Sequence, residues 1–372
     1  MQGFRNLQPA VLDFDPGCNY LFGPNGAGKT NILEAVHWLA IGRSFRRCTD
    51  DEVLGFGQEL AAVAGVDDRG TRAEVRFDGQ EKRVLLDGGR LDRLSDFLGW
   101  LPVVVLLLED IELVRGGPGA RRAFLDMAMA KTRRDYIGRL NEYRRVLLQR
   151  NRLLENDAPE ELHLTWEAEL ARTGAAVYEA RFGPAERLLA RAAELLEGFG
   201  VAGAALEYRP SVAPGPDLQS RLAERLAATR SRSRELKQTV VGPHRDDIAV
   251  RSGGRDLRRF GSVGEQRLAG IALRLAEADL LLGASSHRPV FLLDEIASEL
   301  DEERAGLVFR MIAERGQMVY AAARKISGQW TGEEQPGTAR DASYSFDPSI
   351  PGPLDPSLGK EFHVQSGRIT PA

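Results

Sequence analysis

An eight-residue segment, Gly23-Pro24-Asn25-Gly26-Ala27-Gly28-Lys29-Thr30, stands between an apolar run ending at Phe22 and a helix-patterned run over Asn31–Ile41. Its three glycines let the backbone curl so that successive N–H groups face one point. Lys29 brings a cation to that point, and the following helix turns its positive end towards it. A loop of this kind needs a strand to launch it and a helix to receive it, so the chain must build an α/β core. Tyr20-Leu21-Phe22 is strand-forming, Asp15-Pro16-Gly17 supplies a turn before it, and residues 1–22 with Val11 and Phe14 read as β-structure. Ile32, Leu33, Val36, Trp38 and Leu39 recur at helical spacing. The segment is a complete Walker A loop. It is expected to bind ATP, with Lys29 reaching the β- and γ-phosphates and the Thr30 hydroxyl ligating Mg²⁺.

The acids such a site needs lie far downstream. Val290-Phe291-Leu292-Leu293-Asp294-Glu295 is an apolar strand ending in two carboxylates. In the bland reading these acids cap the next helix. Beside a phosphate loop, the strand is expected to lie next to the loop's own strand and to deliver Asp294 towards Mg²⁺ through water. Glu295 then orients or deprotonates the attacking water. Between the two halves, Ser262-Val263-Gly264-Glu265-Gln266-Arg267 precedes an amphipathic helix carrying Leu268, Ile271, Leu273 and Leu275. Ser262 and Glu265 have the spacing of a capping box, and the same turn is an anion cradle at a helix N-terminus. A second cradle is redundant in a chain with one phosphate loop unless it serves another molecule. That points to two protomers sandwiching ATP.

The remaining chain sorts by pattern. Ala61–Val66, Arg72–Phe77 and Lys82–Leu86 read as a β-meander, and Leu101–Leu108 as a buried strand. From Arg121 to Leu236 the chain turns helical, with breaks near Asn156–Pro159 and Gly198–Gly203, too interrupted for a long coiled coil. Strand character returns at Thr239-Val240-Val241, Asp247–Arg251, Gln317–Ala321 and Glu361–Val364, and Gly328–Gly359 reads as a long surface loop. The expected organisation is an ATPase lobe from residues 1–120 and 286–372, split by a mainly helical lobe over 121–285.

Composition excludes several classes. The net charge of −4 does not mark a nucleic-acid binder, so any such contact must come from local patches. Only six of the 50 basic residues are lysine, a bias that genome composition also produces. Cys18 and Cys48 are too few for a disulfide framework. No signal peptide opens the chain, and Leu101–Leu108 is too short to span a bilayer, so a soluble, cytoplasmic protein without membrane partners is expected.

Taken together, these motifs resemble the ABC-type ATPase heads of the SMC-like branch, and within it the RecF family. The marks are GPNGAGKTNILEA at Gly23–Ala35, GRSFR at Gly42–Arg46, RRAFLD at Arg121–Asp126, VGPHRDD at Val241–Asp247, SVGEQR at Ser262–Arg267 and LLDEIASELD at Leu292–Asp301. FHVQSGRIT at Phe362–Thr370 fits the last strand. The resemblance implies an ATP- and Mg²⁺-dependent DNA-binding protein of repair, replication and the SOS response. Such proteins dimerise head to tail around two nucleotides. They act at gapped duplexes and single-strand/double-strand junctions, where with RecO and RecR they place RecA. At most, hydrolysis is slow, DNA-dependent and a timer of release.

By the same resemblance, Ser262 and Gly264 contact the γ-phosphate on the partner's loop. Ser298–Asp301 meets its twin across the interface, and Arg5 and Asn6 lie near the adenine and α-phosphate. Several positions depart from the family pattern. The first strand is clipped. Glu265 stands in place of Gln, Leu108 in place of a proline, and Ala321-Ala322-Ala323 in place of a His or Thr switch. For DNA, the cluster Arg43, Arg46 and Arg47 is one candidate. A second is the run Arg133, Arg134, Arg139, Arg144, Arg145, Arg150 and Arg152, which also reads as a solvated face paired with acids. His244 reads as a structural turn histidine. The alternative functions are an ABC transporter subunit, for which no coupling elements are evident, and another SMC-like ATPase, which needs a longer heptad insertion.

Overall fold

The computed structural model describes residues 1–46, 48–156, 159–285, 287–323 and 359–371. They form two compact units. The first comprises Met1–Asp92, Val103–Leu108 and Arg288–Ala372, and the second Arg93–Pro102 and Glu109–His287. The expected surface loop falls, apart from Gly359, on residues outside the described ones.

The first unit is built on a six-stranded mixed sheet. Its order is Arg368–Pro371, Gly359–Gln365, Cys18–Phe22, Gln317–Ala322, Val290–Asp294, Val103–Leu106. All neighbours run parallel except the Gly359–Gln365/Arg368–Pro371 hairpin. The central strands are near-continuous apolar runs because both faces are covered, and Leu21, Phe291, Leu292 and Leu293 have no exposed surface. The Val290–Asp294 strand does not lie beside the loop strand, as the sequence led us to expect. Helix Glu302–Arg315 carries the chain back over the sheet to the Gln317–Ala322 strand, which inserts between them. Ala321 thereby pairs with Leu21 on one side and Asp294 on the other. The meander forms a separate four-stranded sheet with Ala61–Val66, Arg72–Phe77 and Lys82–Leu86 as expected, plus Gly89–Arg90.

Residues 1–17 depart from the expected β-structure. Only the single bridges Gln2 to Ala62 and Phe4 to Leu54 form. Val11 is fully in solvent, so it has no face to bury. Pro9 and Pro16 lack ladder donors, and the Asp15 N–H is taken by the Asn19 side chain at 2.7 Å.

The second unit is mainly helical. Tyr136–Glu155 packs along Glu160–Gly198, a 39-residue helix about 58 Å long at the standard rise. A three-stranded sheet of Ala204–Arg209, Asp247–Ser252 and Arg255–Asp256 closes it. The first of these strands is not anticipated by the sequence, where it adjoins a Gly/Ala-rich break. Thr239-Val240-Val241 is not a strand. The Thr239 N–H and hydroxyl bind the Asn151 side chain, and its carbonyl accepts from His244 and Arg245, so its ladder groups are spent. Residues 109–120 belong to this unit, earlier than the boundary expected at 121. Arg274 binds Asp110 at 2.7 Å and Arg115 binds Gln266, which fixes that segment to helix Val263–Ala284.

Candidate nucleotide site and signature segment

The loop Gly23–Thr30 leaves the sheet at Phe22 and enters helix Lys29–Ile41. Gly28 sits at φ +111° and Gly26 at +77°, backbone that side chains resist. At Gly23 a Cβ would come within 2.0 Å of the Val364 carbonyl oxygen. Within the loop the Ala27 N–H bonds the Pro24 carbonyl, and the Ile32 N–H bonds Gly28. The first N–H groups of the helix that starts at Lys29 have no preceding helical carbonyl to bond, the usual anion-seeking end of a helix.

The Lys29 ammonium is buried and donates to the carbonyls of Gly23 at 2.8 Å and Pro24 at 3.1 Å. It lies 4.0 Å from a Glu295 carboxylate oxygen. The Thr30 hydroxyl hydrogen-bonds the Asp294 carboxylate. Burial raises the Asp294 pKa first and the neighbouring Glu295 charge adds to this, against the Thr30 bond, Arg46 and Lys29. Four of the residues expected to handle nucleotide thus converge at the loop. The Thr30 hydroxyl and the Asp294 carboxylate together form a hard-oxygen donor set, which fits Mg²⁺. Glu295 has φ +51°, which is strained for a glutamate, and its N–H bonds the Ala321 carbonyl at 3.0 Å.

Asn6 and Arg5 flank the same loop. Asn6 donates to the Gly26 carbonyl at 3.4 Å and accepts from Asn31 at 2.7 Å. Arg5 grips Glu34 through two bonds of 3.1 and 2.7 Å. Glu34 is wholly buried and also takes Ser44 at 2.6 Å and Arg46 at 3.1 Å. Sequence reasoning passed over Glu34, although a lone acid in the apolar stretch Ile32–Ile41 was a signal. Of the proposed DNA contacts, Arg46 is held by Asn31 and Glu34, Arg43 is exposed, and Arg47 lies outside the described residues.

In the second unit, Ser262 caps helix Val263–Ala284. Glu265 accepts from the Ser262 N–H at 2.7 Å and its hydroxyl at 2.9 Å, and the Glu265 N–H returns to the Ser262 hydroxyl at 3.2 Å. The capping box is therefore formed, with Ser262 exposed and Gly264 next to it.

The arginine run along Tyr136–Glu155 is largely paired. Arg133 and Arg139 bind Asp135, Arg144 binds Asp126, and buried Arg150 binds Glu167 and Thr239. The VGPHRDD segment is structural. Buried Arg181 binds Asp246 at 3.0 Å and Asp126 at 2.7 Å, while Tyr178 and Tyr208 donate to Asp246. His244 accepts from Tyr143 and donates to the Thr239 carbonyl, and burial lowers its pKa to about 4.

The sequence and the fold both have close counterparts. The model of the RecF/RecN/SMC N-terminal domain family matches residues 1–327. A DNA replication and repair protein RecF from Moorella thermoacetica is 39% identical over 319 residues, covering 83% of this chain and 85% of its own. Its counterpart from Symbiobacterium thermophilum is 36% identical over 335 residues, covering 84% and 86%. A solved structure of the recombination mediator RecF with ATP, in the RecFOR pathway, superposes with a TM-score of 0.84 at 26% identity, over all of this chain and 95% of that one. The Smc head domain of Pyrococcus furiosus shares the fold, with a TM-score of 0.52 at 16% identity over all of this chain and 94% of that one. With an ABC-type head assembled from both ends of the sequence, the chain belongs to the RecF/RecN/SMC N-terminal domain family and, within it, to the RecF DNA replication and repair proteins.

Proposed function

We propose that this chain binds ATP with Mg²⁺ at Gly23–Thr30 and pairs head to tail with a second copy. The pair holds gapped or junction DNA while RecA is placed with the help of RecO and RecR. One observation carries the reading: Lys29, Thr30, Asp294 and Glu295 meet at one loop although the sequence separates them widely. Thr30 and Asp294 are the residues that would hold Mg²⁺, Asp294 through water, and a bound Mg²⁺ neutralises phosphate charge. The loop N–H groups and Lys29 bind the phosphates, and Asn6 and Arg5 border them on the base side. Glu295 accepts the proton of the attacking water through its carboxylate.

Ser262 and Gly264 are assigned to the γ-phosphate held by the second copy. The site then closes only in the dimer, so ATP acts chiefly as its glue. Slow, DNA-dependent hydrolysis times release. Ala321 and Ala322 sit between the loop strand and the acid-bearing strand and offer no side-chain donor there, which agrees with slow turnover. Exposed Arg43 is a candidate phosphate contact on DNA.

The test is binding to a gapped duplex as salt is varied, with and without ATP. ATP-strengthened binding that weakens linearly on logarithmic axes as salt rises is expected. Absence of binding at low salt in both conditions overturns the reading.

A further inference from the structure

Glu34 lies on helix Lys29–Ile41, one turn beyond Thr30, and has no exposed surface. The chemistry assigned to the loop does not use it. A buried carboxylate is costly unless it is paired and hydrogen-bonded, and here the pairing closes a ring. Arg5 donates to Glu34 at 3.1 and 2.7 Å, and Asn6 follows Arg5 in the chain. The Asn6 side-chain carbonyl accepts from Asn31 at 2.7 Å. The Asn31 side-chain carbonyl accepts from Arg46 at 2.8 Å. Arg46 then returns to Glu34 at 3.1 Å. Asn31 and Glu34 are three apart on the helix and so share a face. The Ser44 hydroxyl donates to Glu34 at 2.6 Å, and the Cys48 sulfur lies 3.8 Å from it and 3.0 Å from the Arg5 guanidinium.

Both open sides of the ring face the phosphate loop. Asn6 donates to the Gly26 carbonyl at 3.4 Å, and a Cβ at Gly28 would stand 2.9 Å from its carbonyl oxygen. Arg46 forms the other side, and its charge is felt at the Asp294 carboxylate. Each side depends on Glu34. The Arg5 backbone sits at φ +51°, a strained value for arginine. Its N–H bond to the Val53 carbonyl and its side-chain grip on Glu34 hold that turn, and the turn delivers Asn6. Ser44 fixes the Arg46 segment, because its hydroxyl accepts the Arg46 N–H at 3.0 Å while donating to Glu34.

We propose that Glu34 is a positioning residue for the nucleotide, setting Asn6 on one flank of the phosphate loop and Arg46 on the other. The inference rests on the ATP-binding reading given above and deepens it. Glu34 touches no nucleotide itself. It makes the two flanks one unit, so a ligand group that draws on Asn6 is felt at Arg46 and the reverse.

The experiment titrates the full chain with a fluorescent ATP analogue and Mg²⁺, with urea unfolding of each variant as the control for folding. Glu34→Gln should lower affinity about tenfold. Arg46→Met should lower it a few-fold. The double variant should bind within about twofold of Glu34→Gln alone, because residues acting through one network are not additive. A merely structural Glu34 gives losses that multiply, and that result overturns the proposal. A second cycle pairs Asn6→Ala with Arg46→Met, both at exposed positions. It decides the matter on folded chains even where Glu34→Gln unfolds. The two losses should overlap, and losses that multiply overturn the coupling. Arg46→Met that weakens gapped-duplex binding and leaves analogue affinity unchanged also overturns the proposal, since it assigns Arg46 to DNA. A wild-type chain that does not bind the analogue overturns the ATP reading itself, an outcome distinct from all of these.

Discussion

The Lys29 ammonium sits 4.0 Å from the Glu295 carboxylate, and Glu295 is held there by left-handed backbone at φ +51°. The lysine meanwhile spends two protons on the Gly23 and Pro24 carbonyls. Those bonds keep a buried cation satisfied. When phosphate oxygens bind, Lys29 can turn to them and leave Glu295 to the water. Replacing Lys29 with Met removes this charge-assisted contact. Affinity for ATP should fall by about tenfold to a hundredfold, measured by titration with a fluorescent analogue.

Glu295→Gln separates binding from turnover. The amide keeps the shape but cannot take a proton at neutral pH. Hydrolysis should drop by about 10²- to 10⁴-fold, while ATP binding stays within a few-fold. Sizing with ATP and Mg²⁺ should then show a persistent dimer. A variant that stays monomeric at saturating ATP contradicts the sandwich.

Local patterns carried much of this into the sequence. The meander strands are bounded by turn residues and alternate internally, so their limits follow from neighbours alone. The order of the central sheet does not. Which strand sits between Cys18–Phe22 and Val290–Asp294 is decided by the crossover through Glu302–Arg315, a packing event with no signature at either strand. Ser262 shows the same limit at a site, because capping box and phosphate cradle need the same residues at the same spacing. Glu34 is legible only in three dimensions, where Arg5, Ser44 and Arg46 converge on it from separate segments.

Gly23 and Gly26 separate close approach from backbone strain. At Gly26 nothing lies within 4 Å of a Cβ, so Gly26→Ala costs only the positive φ of +77°, about 1 kcal/mol. At Gly23 the Val364 carbonyl, 2.0 Å from a Cβ, belongs to the adjacent strand and cannot step aside alone. Gly23→Ala should cost at least about 2 kcal/mol and disturb the loop. Urea midpoints of the two variants, taken beside ATP affinity, check the contrast.

Arg181 has under 2% exposure and holds Asp126 and Asp246 together with the Tyr136 and Tyr208 hydroxyls and the Pro243 carbonyl. Removing it takes the paired cation from buried Asp246 and leaves Asp126 with Arg144. Arg181→Met should destabilise the helical unit by about 3–5 kcal/mol. Asp246→Asn keeps the hydrogen-bonding shape and should cost less. Denaturant unfolding of both variants reads the difference, and equal losses would show that the buried charge itself is immaterial.

His244 makes the chain acid-sensitive. Its ring is neutral, with Tyr143 donating to Nδ1 and Nε2 donating to the Thr239 carbonyl. Burial brings its pKa from 6.5 to about 4. Between these values the unfolded chain binds more protons than the folded one, so stability rises with pH across the window. The contribution is complete above about pH 6.5 and is lost as pH falls towards 4, amounting to about 2 kcal/mol by pH 4.5. Burial raises the Asp246 pKa, which opposes this trend, so the comparison must be between chains. His244→Gln retains an N–H for Thr239 and does not titrate. Its stability at pH 7 should be lower than the wild-type chain's, and the gap should shrink by about 2 kcal/mol between pH 7 and pH 4.5. Parallel pH slopes for the two chains would show that His244 is already accessible to protons in the folded state.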